Sequence, residues 1–334
     1  MAVPDNSSKH QPRFTPSPEC YVPTPEKLTE QQITTLDAFR THVHTKVVKN
    51  DAERRWTDDP CLIRFLKARR WNLEGAIAGI QDTLQWRESY KPMVPDKESL
   101  WPELASGKMF VSGFDKTSRP LLYMKPRLET TAASPAQIRH VVFHLEVAIA
   151  LMPKGVQSLC IVIDFEDVSM TKTPGAGIAR EILNVLGTHY PERLGKGYII
   201  HAPWFFWPFY KMVSPFMDPV TREKINFVDI KKQKHSHKSI TSTPSSASAS
   251  DIDVSASKDK HHPLHEKEKK ITRVTEPNLL EVIPDDSLEE GFGGTMDYEY
   301  DQEIYWEKAC KVLEGARYYL EHGSALDAES TNVA

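Results

Sequence analysis

A small set of charged and hydroxyl side chains stands directly beside apolar stretches of this sequence. Glu192 precedes the run GYIIHA, and Thr221 and Lys224 precede the run INFVD. Arg69 and Arg70 follow the amphipathic stretch LIRFLKA. Arginine and lysine donate charge-assisted hydrogen bonds to phosphates, and a carboxylate accepts them from hydroxyl groups. On its own the pattern favours solvated faces and helix-end salt bridges. The alternative is a polar rim that holds an anionic group beside an apolar interior.

No enzymatic signature accompanies these residues. Gly175 and Gly177 resemble part of a dinucleotide-binding loop, but Arg180 stands at the position of the third glycine, and the pair lies well beyond the preceding predicted strand. The sequence has no P-loop, no nucleophile elbow and no zinc-protease motif. Five histidines cluster in a polar tract, which favours solvated sequence over a metal site: His235, His237, His261, His262 and His265. We therefore expect a protein that is not an enzyme and needs no cofactor or metal.

The segment from Pro203 to Pro219 concentrates aromatic side chains in a chain whose mean hydropathy is -0.47. It is too short and too interrupted by proline to span a bilayer, which takes about 20 apolar residues. It is therefore core, a lid over an apolar site, or a surface that touches membrane. Its candidate contact residues are Trp204, Phe205, Phe206, Trp207, Phe209, Tyr210, Met212, Phe216 and Met217.

The composition bears on which partners the protein binds and on the cellular compartment in which we expect it. The net charge is -4, whereas proteins that bind nucleic acid usually carry a strong basic excess. The four cysteines are far apart and never form a C-x-x-C pair, which favours reduced thiols. The first residues lack the apolar stretch of a signal peptide. We expect a cytoplasmic protein that does not bind nucleic acid.

Hydrophobic periodicity divides the chain into regions. Residues 1–27 are rich in Pro, Ser and Thr and are predicted to be a disordered arm. Residues 28–95 show helical spacing and predict a helical subdomain. Residues 96–302 alternate strand and helix patterns, which predicts an α/β domain with a mixed, mostly parallel sheet flanked by helices. Within that domain, 231–275 lacks aromatic residues and is predicted to be a disordered insertion; 303–334 supplies a C-terminal helix and tail.

Four stretches resemble the CRAL-TRIO lipid-binding family and, within it, the fungal phosphatidylinositol transfer proteins. They are LIRFLKARRWNLEGAI, IVIDFEDVSM, the long run from HYPERLG to DPVTREKI, and FGGT. The similarity covers about residues 28–302 apart from the insertion, and the long run is specific because its motifs follow one another in order. The resemblance implies a fold that encloses one phospholipid in an apolar cavity. It also implies that the protein binds phosphatidylinositol and either moves it between membranes or presents it to lipid kinases.

The resemblance assigns roles to individual residues. Arg69, Arg70, Glu192 and Lys224 match positions that engage the inositol phosphate headgroup in the family, and Thr221 is a weaker candidate beside them. The aromatic segment resembles the family's gate helix, which closes over the cavity and opens at a membrane. Trp and Tyr suit such an interface because their rings are apolar while an N–H or O–H stays hydrated. We therefore expect transient peripheral contact with membranes.

One departure from the family's pattern concerns a second ligand. Family members that also bind phosphatidylcholine place small hydroxyl residues on the central strand, where Leu159 and Ile161 stand here, with Ile163 following on the same face. These apolar side chains would leave a buried choline phosphate without partners, at a cost of roughly 2–7 kcal/mol per polar group. We expect a sterol as the second lipid rather than phosphatidylcholine. The alternative function is a lipid-sensing regulatory or scaffold protein of the same fold with little transfer activity.

Overall fold

The computed structural model describes residues 9–169, 176–230 and 278–324. The predicted insertion at 231–275 and the end of the chain beyond 324 lie outside the described residues. No helix in the described part has both the length and the apolar character needed to cross a bilayer.

Four helices form the N-terminal region and confirm its predicted helical character. They are α1 (Glu30–His42), α2 (Asp51–Trp56), α3 (Asp59–Ala68) and α4 (Leu73–Tyr90). Each begins after a residue whose side chain accepts a hydrogen bond from a backbone N–H of the first turn, namely Thr29, Asn50, Asp58 and Asn72. The apolar faces meet in one cluster around Phe39, Phe65 and Ile80, each at most 1% exposed. Burial of these faces stabilises helices that would be marginal alone.

The second region is built on one sheet of five strands in the order β1-β2-β3-β4-β5. The strands are β1 (Met109–Phe114), β2 (Pro120–Met124), β3 (Leu159–Asp164), β4 (Leu194–Ile200) and β5 (Ile225–Val228). Only β1 and β2 are antiparallel; each later strand runs parallel to its neighbour. The predicted mixed, mostly parallel sheet is therefore confirmed.

Helices precede, connect and follow the strands, as parallel pairing requires. They are α5 (Lys97–Leu104), α6 (Pro135–Ala150), α7 (Ala176–His189), α8 (Phe206–Val213), α9 (Pro219–Glu223), α10 (Leu279–Val282) and α11 (Gln302–His322). Side chains of the sheet and of the helices on it form a second core, in which Phe110, Tyr123 and Tyr305 are at most 2% exposed.

The N-terminal arm was predicted to be disordered over residues 1–27. In the structure, its residues 9–20 instead dock on the folded domain. The N–H of Gly113 in β1 donates to the carbonyl of Arg13 at 2.8 Å. The guanidinium of Arg13 pairs with Asp286 at 2.7 Å, and the Ser17 hydroxyl donates to the same carboxylate at 2.6 Å. Composition favoured disorder because the partners of these polar residues lie about 100 and 270 positions further along the chain.

Two buried histidines face the core from α6. His140 and His144 are 1% and 0% exposed, and Nδ1 of His144 lies 2.8 Å from the His140 carbonyl oxygen. Burial lowers the pKa of His144 to about 4, and burial together with the neighbouring His144 lowers the pKa of His140 well below its usual value. Both rings are therefore neutral near pH 7.

We predict that stability falls as the pH is lowered from 7.5 to 5. The unfolded chain binds protons at histidines below about pH 6.5, whereas the folded chain does not until about pH 4 at His144. The loss from His144 alone is roughly 2 kcal/mol at pH 5. Chemical denaturation at each pH measures it.

A His144→Phe variant should show a smaller fall over the same range, because phenylalanine cannot titrate and keeps an aromatic ring against Tyr305. His322→Phe is the control for the substitution itself, since it makes the same change at an exposed position near the end of α11. An unchanged fall in His144→Phe would contradict the assignment.

Candidate functional site

Glu192 and Lys224 meet at one edge of the sheet. Because β4 and β5 are adjacent and parallel, the residues that precede them lie side by side at the amino ends of the strands. The Lys224 ammonium donates to the Glu192 carboxylate at 2.9 Å, and the two side chains are 21% and 29% exposed. Glu192 has a backbone φ of 58°, a left-handed conformation that is uncommon outside glycine and is often found at functional sites. The pair is thus a partly exposed polar site that an incoming ligand can reach.

Thr221 lies one turn before Lys224 on α9, where its carbonyl oxygen accepts the N–H of Lys224 at 3.2 Å. The structure brings its backbone next to Lys224, and its assignment to the headgroup stays a prediction. Its side chain is half-buried.

Arg69 and Arg70 are not joined to the pair. Arg69 follows α3 and lies along α4, with Nη2 3.5 Å from the position that a Cβ on Gly79 would take. Arg70 is exposed and has a φ of 52°. Among the described residues, no hydrogen bond or ion pair links either arginine to Glu192 or Lys224. Their assignment to the headgroup stays a prediction.

An apolar sheet face begins directly beside the pair. The parallel register sets two rows of side chains across β3, β4 and β5: Ile161, Gly197 and Ile225, then Ile163, Ile199 and Phe227. The first row adjoins Lys224, and its central residue has no side chain. Ile161 and Ile163 are half-buried, whereas Cys160 and Val162 on the opposite face are fully buried. The predicted face of β3 is therefore the less covered one.

Leu159 differs from the other two predicted cavity residues. It is 1% exposed within the core of the sheet, and the pairing of β3 with β4 shifts register between Leu159 and Cys160. Ile161 and Ile163 are the better candidates for contact with an apolar ligand.

Helix α8 packs one aromatic face on the second row of the sheet. The ring of Phe227 lies 5.9 Å from Phe206, 4.7 Å from Trp207 and 5.8 Å from Tyr210, between centroids. Phe206 is 6% exposed and also contacts Phe165 at 4.9 Å. Burial raises the pKa of Tyr210. This face attaches the helix to the sheet.

Other apolar residues of the same segment are directed to solvent. Trp204 is 76% exposed and Met212 is 45% exposed, while Phe205 and Met217 are half-buried. The side chains of Phe209 and Phe216 lie outside the described ones. The segment is therefore neither wholly core nor wholly surface, since an anchored aromatic face coexists with an exposed apolar one.

A charged junction holds the chain where β4 leads towards α8. Asp164, at the end of β3, accepts hydrogen bonds from His201 Nδ1 at 2.9 Å, from the N–H of Glu166 at 3.0 Å and from Arg127. Burial alone would raise the pKa of Asp164, but these bonds lower it below its usual value. His201 has a φ of 54°. The ionised carboxylate thus fixes the turn from which the aromatic segment departs.

Asp164, Glu166 and His201 place potential ligand atoms within 4.8 Å of one another. Both oxygens of Asp164 already accept protein hydrogen bonds, one of them from a guanidinium that a cation would face. This donor set fits the hydrogen-bonded junction better than a metal centre.

Sequence reasoning missed the Asp164 junction. It also missed two arginines, Arg64 and Arg193, which both donate hydrogen bonds to Gln157. Asp164 ends an otherwise apolar strand, and Arg64 stands on the buried face of α3 between Cys61 and Phe65. A charged residue at a position that the helical or strand period assigns to the core is the signal that could have identified both.

Comparisons with known proteins identify the family to which this architecture belongs. The family model for the CRAL/TRIO domain matches residues 104–243, and the model for the CRAL/TRIO N-terminal domain matches residues 35–82. Phosphatidylinositol transfer protein PDR17 of Saccharomyces cerevisiae is 30% identical over 291 residues, which are 83% of this chain and 69% of that protein. The chain belongs to the CRAL/TRIO family. Both family matches fall on the regions that the helices and the sheet define.

Two further CRAL/TRIO relatives differ in length from this chain. The CRAL-TRIO domain-containing protein C23B6.04c of Schizosaccharomyces pombe is 35% identical over 267 residues, 80% of this chain but 22% of that protein. Phosphatidylinositol transfer protein CSR1 of Eremothecium gossypii is 30% identical over 185 residues, which are 51% of this chain and 42% of that protein. The relatives include proteins named for phosphatidylinositol transfer.

Proposed function

We propose that this protein binds phosphatidylinositol and transfers it between membranes, or presents it to lipid kinases. The observation that carries the proposal is the juxtaposition of the Glu192–Lys224 pair with an apolar sheet face that α8 partly covers. A phospholipid needs polar recognition at one end and an apolar surface along its tails. Binding and exchange require no covalent step.

The polar pair matches the chemistry of an inositol phosphate. The Lys224 ammonium donates charge-assisted hydrogen bonds to a phosphodiester, and the Glu192 carboxylate accepts them from inositol hydroxyls. In the free protein the two groups satisfy each other at 2.9 Å. A bound headgroup replaces this contact with two others of the same kind, so that neither charge is left unpaired.

The aromatic segment provides the contact with membrane in this proposal. Trp204 and Met212 present apolar surface to solvent, next to the exposed Lys211. Tryptophan and lysine suit the boundary between headgroups and acyl chains. The face formed by Phe206, Trp207 and Tyr210 must separate from Phe227 for a lipid to pass along the β5 side of the sheet.

We predict that a Glu192→Ala, Lys224→Ala double variant loses phosphatidylinositol transfer. Each charge-assisted hydrogen bond contributes roughly 1.5–3 kcal/mol, so transfer should fall at least about 10-fold. Transfer of labelled phosphatidylinositol from donor to acceptor vesicles measures it, with circular dichroism to verify folding.

The matched control is the double variant Glu307→Ala, Lys311→Ala. These residues form an exposed ion pair of 2.8 Å on α11, so the control removes the same charges at a similar distance. It should transfer phosphatidylinositol at the wild-type rate. A folded Glu192→Ala, Lys224→Ala protein with wild-type transfer would refute the headgroup assignment. A wild-type protein that retains bound lipid without exchanging it would favour a sensor or scaffold.

The second lipid in this proposal is a sterol rather than phosphatidylcholine. The rows that contain Ile161 and Ile163 offer no hydroxyl to a choline phosphate. A sterol needs only one polar contact and an otherwise apolar surface. The same rows therefore favour a sterol.

We predict that Ile161→Thr weakens sterol binding by roughly 10-fold, because a hydroxyl on this face is left without a partner when the sterol binds. Titration with a fluorescent sterol measures it, and vesicle assays test for a gain in phosphatidylcholine transfer. Val162→Thr is the control, since it adds a hydroxyl at the neighbouring position on the opposite face. Equal sterol affinity in the wild type and in Ile161→Thr would count against this face as the sterol site.

A further inference from the structure

Two guanidinium groups, one on the buried Arg64 and one on the half-buried Arg193, have only neutral acceptors. Arg64 on α3 is 7% exposed, and its Nη1 donates to the side-chain oxygen of Gln157. Arg193, just before β4, donates from Nη1 to the backbone carbonyl of Gln157 at 2.8 Å and lies 3.5 Å from the sulfur of Met152. Neither forms an ion pair with a carboxylate in the described part of the chain. A buried charge without a counter-charge is costly, so this arrangement points to an anionic partner.

The two arginines line a small cavity between the N-terminal helices and the sheet. Its volume is about 20 Å³, enough for one water-sized particle. The other lining residues are Trp56, Phe65, Arg87, Glu146, Ile149, His189, Tyr190 and Pro191. The cavity therefore touches α2, α3, α4, α6 and the approach to β4.

The charges around the cavity do not cancel. Glu146 is engaged by Arg87 at 2.6 Å and by the Tyr190 hydroxyl at 2.7 Å, so its charge is already balanced. Burial lowers the pKa of His189, which leaves that ring neutral near pH 7. The surplus is the positive charge of Arg64 and of Arg193. Burial and the repulsion from Arg64 lower the pKa of Arg193 to about 9.

We propose that this cavity binds a small monovalent anion of chloride size between Arg64 and Arg193. A water molecule fits the volume but cannot neutralise the surplus charge, whereas a small anion fits it and can. The anion would tie α3 of the N-terminal region to the strand that follows Glu192. The site is independent of the proposed lipid function.

Thermal unfolding of the full chain tests the proposal at constant ionic strength, with sodium chloride exchanged stepwise for sodium gluconate. We expect the Tm to rise saturably with chloride by about 2–5 °C, since an ion that binds only the folded state stabilises it. Bromide should replace chloride, and gluconate is too large to enter. The same Tm in chloride and gluconate would overturn the proposal and leave water as the occupant.

An Arg64→Met variant should lose the chloride-dependent rise, because one of the two donors is absent. Arg54→Met is the matched control, since Arg54 is exposed on α2 and should leave the rise unchanged. A folded Arg64→Met protein with the full rise would contradict the site. If Arg64→Met does not fold, anomalous diffraction from wild-type crystals grown in bromide decides: a peak in hydrogen-bonding range of both guanidinium groups supports the proposal, and no peak there overturns it.

Discussion

The parallel pairing of β4 with β5 is the constraint on which the candidate lipid site depends. It brings Glu192 and Lys224, 32 residues apart in sequence, within 2.9 Å at the amino ends of the two strands. The same register aligns Ile161, Gly197 and Ile225 immediately beyond them. A one-residue slip would turn the apolar row to the other face of the sheet and separate it from the polar pair. Polar and apolar parts of the site are therefore fixed by two adjacent ladders of backbone hydrogen bonds, β3–β4 and β4–β5.

The aromatic segment packs on the sheet with one face and exposes apolar surface with another. Three large rings contact Phe227, which holds α8 on the sheet, while Trp204 remains 76% exposed. The Asp164–His201 contact fixes the turn that leads into it. In the proposed function, this segment would exchange its contacts with the sheet for contacts with acyl chains, while the strands beneath it stay folded.

The helices and strands could largely be predicted from the sequence because each has a regular apolar period or a strong cap. The α6 helix, the buried strand β3 and the long α11 all lie where periodicity placed them. The headgroup prediction for Glu192 and Lys224 rests on a motif that is long and ordered. The register that joins them, and the bend that directs Arg69 along α4, depend on tertiary packing that a local pattern does not contain.

The docked N-terminal arm and the buried Arg64 were not predicted either, because they also depend on tertiary contacts. The arm at residues 9–20 has the composition of a disordered segment, and its order comes from distant partners such as Asp286. Arg64 occupies the buried face of an amphipathic helix, where its charge alone does not predict it. In both cases the decisive partner is remote in sequence, so composition and periodicity give no information about it.

In the proposed function, the folded protein holds a phosphatidylinositol headgroup beside an apolar sheet face. The decisive experiment is mass spectrometry of lipids extracted from protein purified from a eukaryotic host, with protein carrying the Glu192 and Lys224 substitutions as the comparison. We expect phosphatidylinositol and sterol in the wild-type extract, little phosphatidylcholine, and loss of phosphatidylinositol alone from the substituted protein. An extract without phosphatidylinositol, or with equal phosphatidylinositol in both proteins, would contradict it.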